Sequence, residues 1–310
     1  MQAGTPQTAV ANSSNDGVAV LPLRNSPTLA YVLSASLGVL LPISALAGLV
    51  YGDSGLYDSY PADLAGLVGQ DMVALVIIFP LLVLSTLLTA RGSLRGLVLW
   101  TGALFWMAYY YFFYVVGGFN ALFLVYIAVV SASLFALLSL LFCIEPGAFE
   151  ARFGAGLPAR PIGGFAVAVA LVFASMWGAM VLASLADGTR PPEVNREVIF
   201  IDLTVMLPLL FYGGIRLWRR EPWGYVLCGL LLVKTALSGF TLAFTTALGI
   251  WWADVVDPFQ AFLFLLFALM MAGALALLVP YMRSITGGIE ATRVAGKPPA
   301  ETKVSGGDRR

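Results

Sequence analysis

Lys234 is the residue with the most chemistry to offer. It stands eleven residues past Trp223, near the middle of an apolar run from Tyr225 to Ile250. At ~1.5 Å of helix rise per residue it lies about 16 Å inside that run. An ammonium so deep in hydrocarbon is expensive unless it is neutralised, paired or reached by water. Ser238, Thr241 and Thr245 follow at spacings of four, seven and eleven, so the four polar groups share one helical face. A polar stripe with a cation at its inner end suits a water-accessible vestibule. The same spacing also lets each hydroxyl bond a carbonyl one turn back while Lys234 locks helices together.

Asp202 is the nearest acidic candidate. A tight hairpin around Arg219 to Pro222 sets Lys234 level with Val205, leaving Asp202 about one turn further out. Helical side chains lean toward their own N-termini, which sends Asp202 outward and Lys234 inward. A bridge through water or a substrate therefore competes with a direct pair. Asp71 opens the corresponding helix of the first half, either complementing a helix dipole or sharing the outer mouth of a cavity with Asp202. Tyr109, Tyr110, Tyr111 and Tyr114 crowd the outer half of the third apolar run, and Trp106 lies 128 residues before Lys234. Tyrosines can hold cations by their faces and bond through their hydroxyls, and an interfacial aromatic belt accounts for them equally well. Asn120 and Gln260 have no partner evident in the sequence. The expected binding set is Lys234, Asp202, Ser238, Thr241, Asp71, Tyr110 and Tyr114.

Catalysis finds little footing. Histidine is absent, and the cysteines are Cys143 and Cys228, both in apolar segments. No HExxH, CxxC, P-loop or GxSxG pattern occurs, so the usual anchors of metalloprotease, thiol-redox, nucleotide-hydrolysing and serine-hydrolase chemistry are missing. No catalytic residue, metal or cofactor is expected. A pigment Schiff base on Lys234 is disfavoured by eight spans and by the lack of a carboxylate near it on its own helix. A lipid-processing enzyme is disfavoured because no nucleophile with an adjacent base is visible.

The elements that position these residues follow from composition. The 310 residues are 60% hydrophobic and 11% charged, with mean hydropathy +0.89, which excludes an ordinary soluble domain. Eight segments reach the ~20 residues that cross a ~30 Å hydrocarbon core. They are Thr28 to Val50, Met72 to Ala90, Leu97 to Val116, Ala121 to Cys143, Ile162 to Ala186, Val198 to Ile215, Tyr225 to Ile250 and Phe259 to Met282. Continuous apolar runs cross lipid as helices, so the chain reads as an all-α integral membrane protein. Pro80, Pro208 and Pro280 should kink their spans. Residues 1–27 and 283–310 read as disordered polar tails and 144–161 as a connecting loop. Arg24 before an apolar run ending near Ala45-Leu46-Ala47 resembles a signal peptide; cleavage there would leave seven spans.

The halves repeat. Pro80-Leu81-Leu82, Arg91, Gly96, Val98 and Leu99 recur without a gap as Pro208-Leu209-Leu210, Arg219, Gly224, Val226 and Leu227, at an offset of 128. Residues 28–143 and 162–282 thus read as two parallel four-helix repeats. In some secondary transporters such repeats bind substrate at mid-membrane between the halves. Of the 17 Lys and Arg, fourteen fall on the side of both termini and only Arg190 and Arg196 fall opposite. Both termini are therefore expected in the cytoplasm, with the chain in the cytoplasmic membrane. The opposite loops are acidic, with Asp53, Asp58, Asp63, Asp187, Glu193, Glu197, Asp254 and Asp257. Balanced net charge gives no reason to expect nucleic acid. The expected partners are the lipid bilayer, a small solute or ion, and a membrane protein or second copy. The expected function is transport or conduction, with a non-transporting membrane scaffold as the alternative.

Overall fold

The computed structural model describes residues 21–60, 64–191, 193–253 and 257–286. Eight helices in it are long and apolar enough to cross a membrane: α1 Thr28–Leu56, α2 Leu64–Ala90, α3 Leu94–Val116, α4 Phe123–Cys143, α5 Ala159–Ala186, α6 Arg196–Trp218, α7 Pro222–Ala253 and α8 Pro258–Arg283. Each contains the core of an expected span. The main differences are extra turns on α1, α2, α6 and α7, and Pro42 is a further proline inside α1.

α3 and α7 form the centre. They are buried over 78% and 83% of their most apolar stretch, whereas no other span exceeds 39%. Their close approach needs Gly102, where a Cβ would fall 2.4 Å from that of Val233 and 3.2 Å from the Leu230 carbonyl oxygen. The hydroxyl of Tyr110 reaches the Ser238 carbonyl oxygen at 3.3 Å. The hydrogen bond joins positions 128 residues apart, and Gly102 faces the turn of α7 that holds Leu230, 128 residues on, and Val233.

The matched Pro, Arg and Gly residues have shared physical work. A proline cannot donate to the carbonyl one turn back, and in α2 and α6 the helix widens before it. Ala74–Ile78 and Asp202–Met206 are π-helical, and the N–H of Phe79 and of Leu207 reaches five residues back, to the carbonyls of Ala74 and Asp202. The kinks expected at Pro80 and Pro208 are thus single π turns. The hairpins that follow also agree. Arg91 and Arg219 end their helices, and Gly92 and Arg220 take positive φ, 82° and 57°. Gly96 and Gly224 then pass so near the preceding helix that a Cβ would lie 2.8 Å from the Thr89 nitrogen and 2.2 Å from the Leu217 nitrogen.

One end of the bundle is sealed. Leu23 bridges Ile144 and Phe153 bridges Ile285. Arg24 pairs with Glu145, and Arg95 donates to the carbonyl oxygens of Met282 (2.9 Å) and Ile285 (3.3 Å). Phe153 packs on Tyr225 and Tyr281, and the Tyr281 hydroxyl donates to the Tyr225 carbonyl at 2.6 Å. Residues 21–26, expected within the polar tail, are docked here by these backbone contacts. The rest of both expected tails, residues 1–20 and 287–310, lies outside the described residues, as do Asp63 and Asp254.

Candidate functional site

Lys234, Asp202, Ser238 and Tyr110 meet around one partly open pocket of about 60 Å³. Tyr109 and Thr235 also line it, within walls made by Val169, Phe173, Met206, Leu207, Leu210, Leu242 and Met270. Such a space takes a few waters or one small polar group, on the scale of ~10–15 Å³ per water. Lys234 is 5% exposed, Asp202 7% and Ser238 4%.

Tyr109 separates the two charges. The Lys234 Nζ sits over its ring, 3.6 Å from the centroid, and its hydroxyl donates to Asp202 Oδ1 at 2.7 Å. Trp177 Nε1 donates to the other carboxylate oxygen at 2.9 Å. Among the described residues no carboxylate comes within ion-pair distance of Lys234, and no side chain or carbonyl accepts a hydrogen bond from it. The ring face partly replaces the water an ammonium loses on burial, but it accepts none of the three N–H groups linearly. The opposed lean of Asp202 and Lys234 leaves a gap, and a tyrosine fills it. Ser238 Oγ is likewise buried with no partner.

The rest of the expected stripe disperses. Thr241 accepts the Trp106 Nε1–H at 3.1 Å and donates back to the Leu237 carbonyl at 2.8 Å. Thr245 donates to the Leu242 carbonyl and packs its methyl against Gly69 of α2. The four residues do share a helical face, but α7 is central and meets a different neighbour at each level.

Asp71 is not at a common mouth. It forms a second, separate cluster, 1% exposed, taking the Tyr57 hydroxyl at 2.5 Å and the Tyr114 hydroxyl at 3.1 Å. Gly48 of α1 is required beside it, since a Cβ there would overlap both Asp71 and the Tyr57 hydroxyl. Tyr111 bonds Ser44 at 2.7 Å in the same half. Asn120 has partners after all: it donates to the Leu56 carbonyl and accepts from the Leu122 N–H. The side chain of Gln260 plays no part in the site; its backbone N–H meets Asp257.

The residues 128 positions before the cavity lining are mostly but not uniformly buried: Phe79 is half-buried and Phe142, 128 positions before Met270, is exposed. Leu41, Ala74, Ile78, Trp106, Met107 and Tyr114 correspond to Val169, Asp202, Met206, Lys234, Thr235 and Leu242, and none exceeds 1% exposure. Trp106, at the place of Lys234, stacks on Tyr110 at 4.4 Å. Trp177 and Tyr57 carry no sequence signal, because each lies among residues whose pattern suggests only a lipid face or a loop.

No protein-family model, curated protein or solved structure matches the chain. The fold and site define a polytopic helical membrane protein with a mainly apolar-walled pocket between α3, α5, α6, α7 and α8 that Lys234, Asp202 and Ser238 help to line.

Proposed function

We propose that this chain is a transport or conduction protein of the cytoplasmic membrane, with two related four-span halves, both termini cytoplasmic and a solute site at mid-membrane. The observation that carries the reading is the cavity: a buried hydroxyl without a hydrogen-bond partner and an ammonium seated over the Tyr109 ring line it, in a chain with eight helices apolar enough to cross a membrane. A structural polar core is normally satisfied from within. Two related halves are supported by the matched π turns, hairpins and axial contacts at an offset of 128. The orientation is supported by the arginine-rich loops gathered at the sealed end. The acidic loops at the other end would concentrate cationic and zwitterionic solutes there.

The experiment uses single cysteines at 234, 238, 241 and 245 in a background lacking Cys143 and Cys228, probed from outside with a membrane-impermeant thiol reagent. Labelling is expected at 234 and 238, with 241 and 245 protected by Trp106 and Gly69. Protection at all four in the folded protein would count against transport. It would favour a non-transporting scaffold, in which Lys234, Tyr109 and Asp202 simply tie α3, α6 and α7 together.

A further inference from the structure

The donors and acceptors around the cavity do not balance. Asp202 already receives the Tyr109 and Trp177 donors on its two oxygens. Lys234 brings three N–H groups and Ser238 one O–H, and nothing described accepts them. One helical turn apart on α7, the two present their donors to the same space. What is missing is an acceptor with more than one lone pair, and an anionic one binds an ammonium most strongly.

We propose that the cavity binds the oxyanion head of a small amphiphile, a carboxylate or comparable group, with Lys234 Nζ and Ser238 Oγ as its donors. This rests on reading the cavity as a ligand site. A carboxylate has about four lone-pair positions and can take both donors at once, and hydrogen bonds between ionised partners are roughly twice as strong as neutral ones. The remaining wall is aliphatic, aromatic and thioether, chiefly Val169, Phe173, Leu210 and Met270, so the body behind the head is apolar. Asp202 lies where it repels a second carboxylate and tolerates an ammonium, so among carboxylates zwitterions are admitted. An apolar carboxylate can come from water or from an acyl lipid, and the head-group chemistry is the same.

The test is equilibrium binding to the full-length protein in nanodiscs, with hexanoate, hexanamide and hexylammonium as matched probes. Hexanoate is expected to bind roughly tenfold or more tighter than either of the others. Lys234→Met should erase the preference, Lys234→Arg should keep it, and Ser238→Ala should weaken hexanoate several-fold with little change for hexylammonium. Equal binding of the three probes, preference for hexylammonium, or no binding at all would overturn the proposal. Should Lys234→Met not fold, Lys234→Arg and Ser238→Ala still decide it. Adding butyrate and oleate separates the sources: comparable affinity for butyrate and hexanoate points to a water-borne solute, and a requirement for the oleate chain points to lipid. The readout is independent of flux. Carboxylate preference with none of the four positions labelled from outside sinks transport and keeps the site, whereas labelling without carboxylate preference does the reverse.

Discussion

At the scale of single residues, Tyr109 is the hinge of the site's electrostatics. Its ring carries the Lys234 ammonium and its hydroxyl serves Asp202, so two opposite charges are held near each other without touching. Tyr109→Phe keeps the ring and deletes one donor to a buried carboxylate. A buried acceptor left without its donor costs about 1–3 kcal/mol. Thermal unfolding in detergent should show that loss, and Asp202→Asn in the same chain should return part of it. An additive double variant would mean the bond contributes nothing. Lys234 and Asp202 were legible in the sequence because charge inside an apolar run is conspicuous. The role of Tyr109 was not, because four tyrosines in six residues point to opposite sides of one helix and only the neighbours tell them apart. Asp71 misled for a related reason: its place on α2 is visible, but the Tyr57 and Tyr114 hydroxyls that enclose it arrive from distant stretches.

At the scale of elements, span positions followed from length and hydropathy, and the hairpin glycines from their gap-free recurrence. What could not be read was the helix type before each proline. A bend and a π turn both satisfy a missing N–H, and packing chooses between them. The glycines make a sharp prediction. A methyl group at 96 or 224 would press on the backbone of the preceding helix, at Thr89 and Leu217, and backbone cannot step aside as a flexible side chain can. Gly96→Ala and Gly224→Ala should each destabilise by about 1–3 kcal/mol. Gly66→Ala, with open space around it, is the matched control. Equal melting temperatures for all three would remove the steric account of the matched glycines.

At the scale of the whole molecule, residues 28–143 and 162–282 have matching π turns and hairpins but differ in how their interiors are filled. Around Trp106 the side chains are buried and Asp71 is satisfied by tyrosines, while Gln70 Oε1 beside it is buried without a partner. Around Lys234 lies the cavity, walled also by Tyr109 and Tyr110 of α3, with the Ser238 hydroxyl unpartnered beside it. Their wrapping differs too. α1 packs along α4, whereas α5 packs along α6 and has no buried residue beyond Phe173, although Trp177 further out still reaches Asp202. The contacts among Arg24, Glu145, Arg95 and the Tyr281 aromatic group close the other end. The uneven filling fixes a stoichiometry. Lys234 and Ser238 meet at one cavity, so a calorimetric titration with hexanoate should saturate at about one equivalent per polypeptide with a Hill coefficient near one. A second equivalent would require the core around Trp106 to open.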